Sequence, residues 1–96
     1  MLIKSGVDIS RLNREIRKSL PVVQRVLDEW GDELTITSTY EGNHGQGSLH
    51  YGNDAYDIRL PEHNWVGVTA GIREAVGLDF DVIIESDHIH IEWDPE

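Results

Sequence analysis

The spacing of the apolar residues changes at Gly31, and that change limits the folds open to this chain. Before Gly31 the apolar side chains recur every three or four residues, which is the repeat of one helix face. Those residues are Leu12, Ile16, Leu20, Val23, Val26, Leu27 and Trp30. After Gly31 the apolar residues alternate with polar ones or form short β-branched runs, a pattern typical of strands. Helices first and strands later predict an α+β domain with an antiparallel β-sheet, N-terminal helices and one further helix packed on it.

Proline and short polar residues predict where the helices begin and end. Pro21 lacks the N–H that a helix interior uses, so we expect a break near Ser19 and a second helix starting at Pro21. Asp8 or Ser10 is expected to cap the first of these helices.

The later elements follow from alternation and from turn residues. We expect strands over residues 34–40, 55–60, 80–84 and 88–93, the last two forming a hairpin. A further helix is predicted from Trp65 to about Val76, with Asn64 as its cap and Gly77 at its end.

Length and charge exclude several classes of protein. Ninety-six residues predict one domain, residues 1–96, and the absence of cysteine excludes disulfides and thiolate metal sites. The net charge of −10 argues against a nucleic-acid partner, although an acidic cleft attracts a divalent cation. No apolar run approaches the ~20 residues of a membrane span, and the N-terminus has no signal-peptide pattern. We therefore expect a protein made in the cytoplasm that needs outside help to reach an external substrate. No pattern indicates an oligomeric state.

Two short segments contain the residues suited to chemistry, one ending at Asp57 and one ending at His90. His50, Asp57 and His90 form a candidate set of three zinc ligands, which leaves the fourth position of a catalytic ion for water. His88 and His90 are two apart on a predicted strand and so share one face of the sheet. A His-x-His pair is a weak signal by itself, so ordinary hydrogen-bonded histidines remain the alternative.

With its residues arranged in this way, the chain resembles peptidase family M15, the hedgehog/D-Ala-D-Ala peptidase superfamily. That family carries a Ser-x-His-x6-Asp element followed by a His-x-His element. Here the two elements are Ser48-x-His50-x6-Asp57 and His88-Ile89-His90. The resemblance runs from about Gly6 to Pro95 and looks closest to compact M15-like proteins of bacteriophages and their hosts.

The resemblance implies a role for each matching residue. His50, Asp57 and His90 would bind one zinc ion, and His88 would contact the substrate or the oxyanion. The general base would be Asp87, three positions before the last ligand, or else Glu85 further upstream. From the residues themselves, and not from the family pattern, we expect Ser48, Arg59 and His44 to bind the substrate.

The activity that the resemblance implies is hydrolysis of amide bonds in peptidoglycan peptides, as in phage endolysins that degrade cell walls. Either an L-Ala–D-Glu endopeptidase or a D-Ala-D-Ala carboxypeptidase fits.

The chain departs from the family pattern at a few positions. Asn53 and Asp54 stand where the family usually has Gly and often Arg, and Glu41 stands where carboxypeptidase members often have the Arg of a Gly-Tyr-Arg element. Asn tolerates the left-handed backbone that Gly would supply. A carboxypeptidase generally needs a basic side chain to hold the free C-terminus of its substrate. Asp54 and Glu41 stand where the family often has such side chains, which favours the endopeptidase. The alternatives are a zinc-binding hedgehog-like module without turnover and a plain acidic structural domain.

Overall fold

The computed structural model describes residues 1–40 and 52–95. Along the chain the elements are β1 (Leu2–Ile3), α1 (Arg14–Glu29), β2 (Thr35–Ser38), β3 (Ala55–Arg59), α2 (Trp65–Val76), β4 (Phe80–Ile84) and β5 (His88–Trp93). The strands form one sheet in the order β1-β2-β3-β5-β4. The predicted α+β class is confirmed, and so are β2 to β5, α2 and the β4–β5 hairpin.

One face of the sheet packs against both helices. In β3 and β5 the fully buried side chains alternate with the site residues: Tyr56 lies opposite Ile91, and Ile58 opposite Ile89. These four join the apolar stripe of α1 and residues of α2 in a single core. Since side chains on a strand alternate between faces, the neighbours of these residues lie on the opposite face.

The predicted break at Pro21 is wrong, because α1 continues through it from Arg14 to Glu29. Proline inside a helix costs about 3 kcal/mol. Pro21 is exposed, and so is Arg17, whose carbonyl loses its helical partner. Ile16 and Leu20 before the proline and Val23 and Leu27 after it are all buried in the same core. Each such side chain contributes about 1.5–3 kcal/mol, so packing outweighs the proline and holds both halves on one axis.

The helix cap and the first strand also differ from the prediction. Asn13, and not Asp8 or Ser10, is the N-cap of α1. The Asp8 carboxylate instead accepts the backbone N–H of Ser10 at 2.8 Å, forming a local turn. The sheet is mixed, because β1 pairs parallel to β2 through Leu2 and Thr35. A strand of two exposed residues has too few positions to show alternation, so the sequence pattern did not reveal it.

The second helix has the predicted bounds and caps. The Asn64 side chain accepts a hydrogen bond from the Gly67 backbone N–H at 3.3 Å, and Gly77 follows the last turn with φ of 90°. Neither helix among the described residues is long and apolar enough to cross a membrane.

Candidate metal and catalytic site

The register between β3 and β5 brings the predicted site residues together. Asp57 lies directly opposite His90, and Arg59 directly opposite His88. Directly opposed residues of antiparallel strands have neighbouring side chains on the same face. The four side chains therefore share the sheet face that the helices leave uncovered, as the alternation predicted for the two histidines.

Asp57 contacts both histidines with its two carboxylate oxygens. Its Oδ1 lies 3.0 Å from Nδ1 of His90, within hydrogen-bond distance. Its Oδ2 lies 3.6 Å from Nε2 of His88, the separation of an ion pair. Asp57 is only 7% exposed, so water screens these interactions weakly. One nearly buried carboxylate thus connects the two imidazoles.

A second carboxylate holds the other nitrogen of His90. Nε2 of His90 lies 2.5 Å from Oε1 of Glu92. Burial by itself lowers the pKa of His90, but the hydrogen bonds to Asp57 and Glu92 outweigh burial and raise it. With a carboxylate at each nitrogen, the metal-free site favours a doubly protonated His90.

His88 is held from the turn that precedes β5. Its Nδ1 lies 2.6 Å from Oδ1 of Asp87, whose side chain is 83% exposed. Glu85, the alternative base, donates its backbone N–H to the carbonyl of His88 at 2.8 Å and closes the hairpin. Contacts therefore run without interruption from Asp87 through His88 to Asp57.

The segment leading into β3 is tied to the start of α1. Asn53 has φ of 63°, so it adopts the left-handed backbone expected of it. The Asn13 side chain donates to the carbonyl of Gly52 at 3.0 Å and to Oδ1 of Asp54 at 2.8 Å. Asp54 thus anchors this segment on the helix cap.

Three predicted site residues lie outside the described residues: His44, Ser48 and His50. The first zinc ligand and two of the three substrate-binding residues therefore stay predictions. So does the assignment of roles to Asp57, Arg59, Glu85, Asp87, His88 and His90.

The Asp57–His90 pair fits a zinc ion. Zinc binds imidazole nitrogen and carboxylate oxygen at about 2.0–2.2 Å, which separates two tetrahedral ligand atoms by about 3.3 Å. The observed separation of Oδ1 and Nδ1 is 3.0 Å. A shift of a few tenths of an ångström would admit the ion, and the proton between the two atoms would leave.

Sequence reasoning missed two residues beside the predicted ligands. Glu92 shares the face of His90 because it lies two positions further along β5. The alternation of side chains along a strand could have identified it. Ser38 lies opposite Asp57 because an irregularity in register follows Ile36 of β2. Bulges of this kind redirect side chains and cannot be located from alternation.

Glu92 also belongs to a group of carboxylates that could hold a cation. Oxygens of Asp81, Glu92 and Asp94 all lie within 4.8 Å of one another. Asp81 is opposite Glu92 in the β4–β5 pair. Glu92 thus belongs to this acidic group and also contacts His90.

Comparison with known proteins adds one finding to this geometry. A family model described as Peptidase M15 matches residues 1–92 of the chain. The matched range includes both the Ser-x-His-x6-Asp element and the His-x-His element. No curated protein matches the chain.

Proposed function

The chain belongs to the peptidase M15 family, and from this premise we propose that it is a zinc-dependent peptidase cleaving amide bonds in peptidoglycan peptides. The observation that supports this most directly is the pair of opposed ligand atoms, Oδ1 of Asp57 and Nδ1 of His90, 3.0 Å apart. Zinc bound there would supply a Lewis acid for the scissile carbonyl and a water of lowered pKa.

In this proposal Asp57 and His90, together with His50, hold the ion. Pairing across two adjacent strands gives Asp57 and His90 a rigid separation, which favours a preorganised site. The near-burial of Asp57 limits competition from solvent.

Asp87 acts as the general base, accepting a proton from the attacking water and giving it to the leaving amine. Its exposure leaves it accessible to water, and its contact with His88 connects it to Asp57. Glu85 is the alternative base. His88, held through Nδ1 by Asp87, presents Nε2 to the site, where a proton on that atom would donate to the developing oxyanion.

Substrate specificity in this proposal rests on charge. Arg59 is exposed opposite His88 and would pair with a carboxylate of the stem peptide. Ser48 and His44 are the other proposed contacts. Because Asp54 stands where a cation is frequent, we favour L-Ala–D-Glu endopeptidase over D-Ala-D-Ala carboxypeptidase action. A role in phage lysis of the host wall is part of the same proposal.

The test combines zinc analysis with hydrolysis. Zinc-loaded protein should release new amino groups from purified cell walls. Asp87→Ala should bind one zinc ion per chain and lose that release, whereas Asp79→Ala, which removes an exposed carboxylate before β4, should keep it. Full activity of Asp87→Ala would make Glu85→Ala the next variant.

The remaining outcomes separate the alternatives. One zinc ion per chain without cleavage of any peptidoglycan peptide would indicate a binding module. No zinc binding at micromolar concentration would refute the proposal. Mass spectrometry of fragments from a defined muropeptide identifies the bond, and lysis of cell-wall suspensions from candidate hosts tests the phage role.

A further inference from the structure

Glu92 forms a hydrogen bond with one ring nitrogen of His90, and Asp57 contacts the other. Oε1 of Glu92 and Nε2 of His90 are 2.5 Å apart, and the two side chains are only 17% and 14% exposed. On the opposite side of the ring, Nδ1 faces Asp57. The imidazole is therefore held between two carboxylates whose roles need not be equal.

A metal distinguishes between those two nitrogens. A neutral imidazole has one protonated nitrogen and one lone pair, and the hydrogen bond at one nitrogen decides which of them can bind metal. Metal-binding histidines commonly donate their other N–H to a carboxylate, which fixes the ring and increases its basicity. Oδ1 of Asp57 is itself a proposed ligand atom, so Nδ1 is the nitrogen that faces the ion.

We propose that Glu92 is a positioning residue for the metal: it keeps a proton on Nε2 of His90, so that the lone pair of Nδ1 points to the ion beside Asp57. The proposal rests on the zinc peptidase function above and adds a residue to that site. It assigns Glu92 a function beyond membership of the acidic group with Asp81 and Asp94, and this function depends on the hydrogen bond between Glu92 and His90.

Zinc affinity of the full chain, measured by competition with a chelating dye, tests the proposal. Glu92→Ala should weaken zinc binding by about 10- to 100-fold, the range for the loss of such a partner. Glu92→Gln keeps an acceptor oxygen and should recover part of the loss. Asp81→Asn and Asp94→Asn each remove one charge from the same acidic group, and each should weaken zinc binding much less than Glu92→Ala does if the hydrogen bond to His90 is the cause.

Nitrogen-15 NMR gives a readout that does not depend on activity. In the zinc-loaded wild type, His90 should carry its proton on Nε2 and bind metal through Nδ1. Metal on Nε2 would overturn the proposal. So would wild-type affinity in Glu92→Ala, or equal losses in all the carboxylate variants, which would indicate a general effect of charge.

These outcomes are distinguishable from failure of the proposed function. If the wild type binds no zinc, both the function and the role of Glu92 are refuted. If the wild type binds zinc and cleaves its substrate while Glu92→Ala does the same, only the role of Glu92 is refuted.

Discussion

Replacing Asp57 with asparagine tests the centre of the site in one step. The side chain keeps its shape but loses the charge that both histidines face. Asp57 accepts a hydrogen bond from His90 at 3.0 Å in a position that is 7% exposed. Hydrogen bonds to charged groups contribute about 1.5–3 kcal/mol, so Asp57→Asn should lower the free energy of unfolding by about that much without zinc. In a domain of this size each kcal/mol lowers Tm by about 4–8 °C.

Zinc should enlarge the difference between the two proteins. A ligand that binds only the folded state at ~100 times its Kd adds about 2.7 kcal/mol to stability. Wild-type Tm should therefore rise by about 10–20 °C under those conditions, whereas Asp57→Asn should show little of that rise. Differential scanning calorimetry with and without zinc measures both effects.

Asp87→Asn is the matched control because it makes the same chemical change nearby. The Asp87 side chain is 83% exposed, so its replacement should alter stability by no more than about 0.5 kcal/mol. Its rise in Tm with zinc should equal that of the wild type. If Asp57→Asn proved as stable as the wild type and kept the whole rise, Asp57 would be neither a partner of His90 nor a zinc ligand.

Three further predictions concern the framework that supports the site. Ser19→Ala should cost about 1–3 kcal/mol in urea denaturation, because it removes the partner of the buried Tyr56 hydroxyl, 2.8 Å away; a cost that persists unchanged in a Tyr56→Phe background would contradict this reason. Burial raises the pKa of Tyr56, so the unfolded chain loses this proton first and stability should fall as pH rises above ~10. Tyr56→Phe should flatten that fall, and an unchanged slope would argue against it. Gly77→Ala should cost about 1–3 kcal/mol through backbone strain alone, because φ is +90° and nothing lies within 4 Å of an added Cβ; unchanged thermal unfolding would show that the turn relaxes.

Local patterns predicted most of the elements correctly. Asn64 and Gly77 act on the backbone within a few residues of themselves, so the bounds of α2 could be inferred from neighbours in sequence. The shared face of His88 and His90 likewise needs only the two-residue period of a strand. Pro21 misled the same reasoning, because its local cost is real but smaller than the burial of residues on either side of it.

The sequence by itself determined the α+β class, the period of each element and, through two spaced motifs, the family to which the chain belongs. The tertiary structure decided which residues of those two motifs lie next to each other. Asp57 and His90 are 33 residues apart in the chain, and only the pairing of β3 with β5 brings their side chains to 3.0 Å. Register depends on the packing of the whole sheet against the helices. If one strand slipped by a single residue, its site residues would point into the core and its core residues would point away from it. Glu92 shares the face of His90 through the two-residue period of β5, but only the folded site shows its carboxylate at Nε2 of His90 while Asp57 of the neighbouring strand lies at Nδ1.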